Sequence, residues 1–153
     1  MTPEEVMERE GIELPAAHTP VANYVPLVRT GSLIFVSGHG PFVDGKPAYT
    51  GKLGGDLDIE EGRKAAETVT LNILAALKNE LGHLSKISRF VKLLVLVNAA
   101  PDFKQHPKVA DGSTDLLVKI FGDLGRPARS AVGAGSLPFD IAVEIEAVVE
   151  VRD

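Results

Sequence analysis

Arg129 and the carboxylates of Glu144 and Glu146 offer more chemistry than any other grouping in this sequence. A guanidinium presents a planar fork that grips a carboxylate through two hydrogen bonds, and an adjacent carboxylate can move a proton. The segment 141–151 alternates strictly. Ile141, Val143, Ile145, Ala147, Val149 and Val151 fall on one face, while Glu144, Glu146 and Glu150 share the other with Val148. The turn between this segment and 129–134 is centred near Leu137. A simple antiparallel hairpin sets Arg129 opposite about residue 145, within reach of Glu144 or Glu146. Such a pair reads two ways: a cross-strand ion pair on a solvated face, or a fork for a substrate carboxylate with an acid beside it. Spacing does not choose between them.

Other chemistries find less support. His18, His39, His83 and His106 are scattered, with no pair at helical ligand spacing, so no metal site is expected. Cysteine is absent, which removes thiolate catalysis and disulfides and suits a reducing compartment. Gly51-Lys52-Leu53-Gly54-Gly55 lacks the phosphate-loop pattern and reads as a plain loop. Ser37-Gly38-His39-Gly40 is not a nucleophile elbow, because no helix follows it. The net charge of −5, from 21 acidic and 16 basic residues, lacks the cationic footprint of a nucleic-acid binder. Lys86, Arg89 and Lys92 read as a solvated strand entry. Residues 1–14 are acidic without an apolar run, and the apolar stretch around Leu93 to Val97 is far shorter than a membrane helix. A soluble, cytoplasmic protein is expected.

The elements that must position these residues fit one domain of 153 residues, with 44% hydrophobic and 24% charged residues. A short acidic helix starts at Thr2-Pro3, and Pro15 and Pro20 then enforce extended chain. Strands are predicted at 24–28 and 32–37 around Thr30-Gly31, with Asp44-Gly45 as a second turn and a weak strand at 48–52. The clearest element is a helix from Ile59 to Leu81. Asp58 and Glu61 form its capping box, Ala66, Val69, Ile73, Leu77 and Leu81 its apolar stripe, and Gly82 its stop. A strand at 89–97, a helix at 107–121 and strands at 129–134 and 141–151 complete an α+β layout. The strand 90–97 is apolar on both faces, with Val91, Leu93, Val95 and Val97 on one and Phe90, Leu94 and Leu96 on the other. Two helices cover only one face of such a sheet, so a second copy of the chain is expected on the other.

The run Gly125-Arg126-Pro127-Ala128-Arg129-Ser130-Ala131-Val132, then Ser136-Leu137-Pro138 and Val143-Glu144-Ile145-Glu146-Ala147, resembles the C-terminal signature of the RidA/YjgF family of imine deaminases. Asn23-Tyr24-Val25 and Val36-Ser37-Gly38 resemble its Tyr-bearing first strand and Ser-Gly strand end. The segment 109–117 is similar to a divergent, longer subgroup labelled L-PSP-like endoribonuclease. The resemblance spans residues 20–151, leaving 1–19 as an extension with a short helix and 20–153 as the domain.

This resemblance implies a chorismate-mutase-like fold, a mixed sheet with two main helices on one face, assembled as a homotrimer. Helices lie outside, sheets form a barrel-like centre, and three clefts sit between subunits. It further implies that Arg129 binds a substrate carboxylate, that Glu144 orients a water or the substrate nitrogen, and that Tyr24, Ser37 and Gly38 line the cleft. The implied reaction, which needs no cofactor, is hydrolysis of 2-enamine/2-imino acids to 2-keto acids and ammonia. Two departures stand out: Ala131 where the family often has Cys, and Asp111 where an Asn is usual. The alternative is a non-catalytic binder of 2-keto or other carboxylic acids, with endoribonuclease activity behind it.

Overall fold

The computed structural model describes residues 1–17 and 22–153. The expectations placed on His18 and Pro20 fall outside the described residues. Helix α1 (Pro3–Glu10) begins with a capping box in which Thr2 and Glu5 exchange bonds between side chain and backbone, and it buries Val6 and Met7. Helix α2 (Ile59–Leu81) starts the same way. Asp58 Oδ1 accepts from Glu61 N at 2.8 Å, and Glu61 Oε1 accepts from Asp58 N at 3.1 Å. These bonds satisfy donors that the first helical turn leaves open. The whole stripe from Ala66 to Leu81 is buried, and Gly82 ends the helix at φ 83°.

Five strands form the main sheet: β1 (Leu27–Thr30), β2 (Leu33–His39), β5 (Ile87–Asn98), β6 (Ala128–Ala134) and β7 (Val143–Val151). Their spatial order is β1-β2-β7-β5-β6, all antiparallel except the β5–β6 pair. A two-stranded ribbon, β3 (Phe42–Val43) and β4 (Lys46–Pro47), turns at Asp44-Gly45. Helix α2 lies over β7 and β2, and helix α3 (His106–Phe121) over β5 and β6, both on one side of the sheet. The α+β mixed sheet with its helices on one face agrees with the sequence reading.

Several expectations require correction. Residues 129–134 and 141–151 do not pair: β5 lies between them, with Leu93 opposite Arg129 on one flank and Leu96 opposite Glu144 on the other. Strand β6 runs parallel to β5, and α3 supplies the crossover that a parallel pair needs. Gly135 to Ala142 then carries the chain past the end of β5. The first strand begins at Leu27 rather than residue 24, since Pro26 has no N–H to give a ladder. The 48–52 segment is no strand; its pairing is a single bridge from Thr50 to Ile141. In β5 the register slips between Phe90 and Lys92. This bulge puts Phe90 on the helix side with Leu93, Val95 and Val97, and leaves Val91 exposed, reversing the phase expected for both.

The sheet face away from the helices carries Val28, Phe35 and Val132, which are 54%, 48% and 45% exposed, with Leu94 and Leu96 half-buried. The strict alternation of β7 is borne out, with every residue from Val143 to Val151 on the odd positions buried and the glutamates on the open face.

Candidate functional site

Strand register decides which predicted residues can cooperate. Arg129 and Ala131 point to the helix side of β6, like their partners Leu93 and Val95. Helix α3 lies above, and Asp111 and Thr114, three residues apart, share the helix face turned towards Arg129. Arg129 Nη1 donates to Asp111 Oδ1 at 2.8 Å and to Thr114 Oγ1 at 3.0 Å. Asp111 Oδ2 stands 4.0 Å from Nη1 of Arg63, which itself donates to Lys108 O at 3.2 Å, while its Nη2 donates to Asp115 Oδ2 at 3.0 Å. Further along the same strand, a Cβ on Gly133 would lie 2.8 Å from His106 Nε2, so the ring packs directly over the backbone there. Thr114, Arg63 and His106 were not singled out from the sequence. The i, i+3 spacing of Asp111 and Thr114 was a visible signal; the other two depend on tertiary packing.

Glu144 lies on the other face of the sheet, half-buried, beside the Ser37-Gly38 end of β2. A Cβ on Gly38 would fall 2.8 Å from Glu144 Oε2 and 2.9 Å from its Cδ, so a side chain here would collide with the carboxyl. Burial pushes the Glu144 carboxyl above the usual carboxylate range, and the neighbouring charge of Glu146 adds to the effect. Ser37 is adjacent, but its hydroxyl donates to Pro26 O at 3.0 Å. Tyr24 stands before β1, outside the sheet and largely exposed.

The structure therefore forms two groups. Gly38 and Glu144 meet on the open face, and Arg129, Asp111 and Ala131 gather on the helix face. Within one chain Arg129 does not reach Glu144 or Glu146. The side chains leave opposite faces of strands separated by β5, about 10 Å apart laterally. A cavity of about 550 Å³ on the open face is lined by Phe35, Ser37, Lys92, Leu94, Ser130 and Glu146 among others, and includes neither Arg129 nor Glu144. In it Lys92 Nζ donates to Ser130 Oγ at 2.8 Å, which removes Lys92 from the solvated patch expected of it.

The connection between the two groups is fixed at the far end of β5. Asn98, fully buried, donates from Nδ2 to Asp140 Oδ1 at 3.0 Å and Gly51 O at 3.2 Å, and accepts from Lys52 Nζ at 2.8 Å. Lys52 also donates to Gly135 O at 2.9 Å, so both ends of the 135–140 loop are held to the sheet. The 51–55 loop is thus a structural tie.

The family model described as "YjgF/chorismate mutase-like, putative endoribonuclease" matches residues 4–149. The chain belongs to the YjgF family. Among curated relatives of this YjgF-family chain, Protein TCP17 of Trypanosoma cruzi is 43% identical over 96% of the chain and 92% of the relative. A 2-iminobutanoate/2-iminopropanoate deaminase of Dermatophagoides farinae is 28% identical over 92% of this chain and 95% of its own length. The crystal structure of a protein of unknown function from Agrobacterium tumefaciens superposes with a TM-score of 0.91 at 43% identity, over 98% of this chain and 92% of that one. No helix among the described residues is long and apolar enough to cross a membrane.

Proposed function

We propose that this YjgF-family chain hydrolyses 2-enamine/2-imino acids to 2-keto acids and ammonia, in clefts shared between the protomers of a homotrimer. The observation that carries this reading is the division of the site. Arg129 sits on the edge strand with Nη1 engaged and, among the described residues, no hydrogen bond on Nη2 or Nε. The half-buried Glu144 faces the opposite way. A second copy covering the apolar open face supplies what one chain cannot, an Arg129 facing a Glu144. The name of the Dermatophagoides relative supports the reaction.

In this cleft the free edge of Arg129 holds the substrate carboxylate, so the C=N carbon stands at a fixed place. Glu144 accepts a proton from a water as its oxygen bonds to that carbon and the C=N π pair moves to nitrogen. The proton then passes to nitrogen, the C–N bond breaks, and ammonia leaves as the new hydroxyl gives its proton to Glu144 and C=O forms. A carboxyl pushed up in pKa is suited to both halves of this transfer. An imine is already electrophilic, so orientation and proton transfer suffice and no strong nucleophile is required.

Subunit mixing tests the reading. R129A and E144Q should each abolish release of 2-oxobutanoate from imine generated by a threonine dehydratase. Co-refolded at equal amounts, the two should recover about one quarter of wild-type activity, because in a cyclic assembly one interface in about four then pairs an intact Arg129 with an intact Glu144. No recovery on mixing, with trimers formed, would place the site within one chain or nowhere. Activity in R129A alone would remove the carboxylate fork altogether.

A further inference from the structure

Asp111 occupies one edge of the guanidinium that the proposed reaction uses. Arg129 Nη1 gives both its bonds to α3, at 2.8 Å to Asp111 and 3.0 Å to Thr114. The local charges are Arg63 and Arg129 against Asp111, Asp115 and Glu60, linked at 4.0, 3.0, 2.8 and 4.0 Å, so the cluster carries one net negative charge before any ligand arrives. A lone carboxylate added at the free edge of Arg129 deepens that negative charge, and a dicarboxylate deepens it further. A ligand carrying one carboxylate and one cationic nitrogen leaves it unchanged.

Asp111 also has an acceptor to spare. Its Oδ1 takes the Arg129 bond, whereas Oδ2 lies 4.0 Å from the nearest Arg63 nitrogen, beyond hydrogen-bonding range. Its side chain is 42% exposed, so Asp111 is open to an approaching group, while Arg129 at 22% is the more enclosed partner. Arg129 and Asp111 thus present a cationic edge and an anionic oxygen side by side. An α-amino or α-iminio carboxylate presents the complementary pair, with carboxylate and nitrogen on one carbon.

From this geometry we infer that Asp111 selects the charge class of the ligand: zwitterions with a cationic nitrogen next to the carboxylate are accepted, and simple carboxylates are disfavoured. The inference rests on the reading that Arg129 binds the ligand carboxylate. It makes the neutral-overall iminium form the bound substrate. It also makes the anionic keto acid a poor ligand, so product leaves readily.

The test is calorimetric binding of two probes with one carbon skeleton, L-2-aminobutanoate and 2-oxobutanoate. Screening at the partly exposed Asp111 moderates its field, so wild type should prefer the amino acid by about tenfold. D111N, isosteric and still able to accept from Arg129, should tighten 2-oxobutanoate about threefold and weaken the amino acid about threefold, erasing the preference. On the wild-type protein, raising salt from about 0.05 to about 0.5 M should narrow the same ratio, a check independent of any variant. A wild-type preference for 2-oxobutanoate, or D111N shifting both probes alike or neither, overturns the inference. R129A separates the two levels. Loss of both probes in R129A keeps the carboxylate reading whatever D111N does, while undiminished binding in R129A, or no binding to wild type, removes that reading and this inference together.

Discussion

Replacing Gly38 by alanine changes the position of Glu144 while leaving every other proposed catalytic atom in place. The added Cβ lies 2.9 Å from Glu144 Cδ. Restoring an ordinary carbon–carbon separation of about 3.5 Å requires the carboxyl to retreat by about 0.6 Å. The obstacle is the far end of a flexible side chain rather than backbone, so rotation about the Glu144 torsions absorbs it, at a cost of about 0.5–1.5 kcal/mol. Gly38 is not among the positive-φ residues, so alanine fits its backbone and recovers about 0.4–1 kcal/mol by restricting the unfolded chain. The two terms nearly cancel, and the melting temperature should stay within about 4 °C of wild type. Catalysis has no such compensation. A displacement of about 1 Å can cost about a hundredfold, so kcat/KM in the threonine-dehydratase-coupled assay should fall roughly 10- to 100-fold. A rate within about twofold of wild type would show that the placement of the carboxyl beside Gly38 is immaterial. A drop in melting temperature beyond about 8 °C would show that the collision is not absorbed by Glu144.

Three further outcomes follow, two from Glu144 and one from the contact between α2 and α3. Since the charge of Glu146 helps hold the Glu144 carboxyl above its usual range, E146Q should move that titration to lower pH. The acid limb of kcat/KM should move with it, because Glu144 acts as a base when ionised; a carboxyl-carbon NMR titration unmoved or moved upward contradicts this. Stability has the matching sign: a raised folded-state pKa makes the native state bind more protons, so Glu144 destabilises the fold as pH rises above the usual carboxylate value, and E144Q should remove that part of the slope. At the α2–α3 contact, a Cβ on Gly112 would sit 2.2 Å from the Arg63 carbonyl oxygen. Here backbone must move, and G112A should destabilise by about 3 kcal/mol, lowering the melting temperature by roughly 6–12 °C in a thermal scan.

Local signals carried much of this fold. Thr2-Pro3 and the Asp58–Glu61 capping box announce two helix starts, because such signals are written within four residues. The stripe from Ala66 to Leu81 and the alternation of β7 were equally plain, since each buries one face against one core. The non-local terms were hidden. A loop of eight residues between Ala134 and Val143 suits a hairpin as well as a step across β5, and parallel pairing leaves no mark in the sequence of β6. The bulge at Phe90-Val91 was invisible for a related reason: a run that is apolar at every position has no phase to read. Spacing and the resemblance named the residues of the candidate site, but not their division between two faces, because that depends on which strand lies between them.

That division changes what the apolar open face means. Strand β6 ends the sheet, and its outward side chains include Val132, 45% exposed, with no charged residue of its own on that face and only Lys92 of β5 reaching over to Ser130. Edge strands of stable monomers are usually blunted by charge, proline or a covering element. Here the blunting charge, Arg129, is turned inward to α3 and partly neutralised by Asp111, so it protects nothing on the open side. A copy that covers Phe35, Leu94 and Val132 therefore relieves the exposed edge. In the proposed trimer it also brings a foreign Arg129 towards Glu144. Assembly and catalysis then depend on one surface, and a charge introduced at Leu94 should weaken both together rather than either alone.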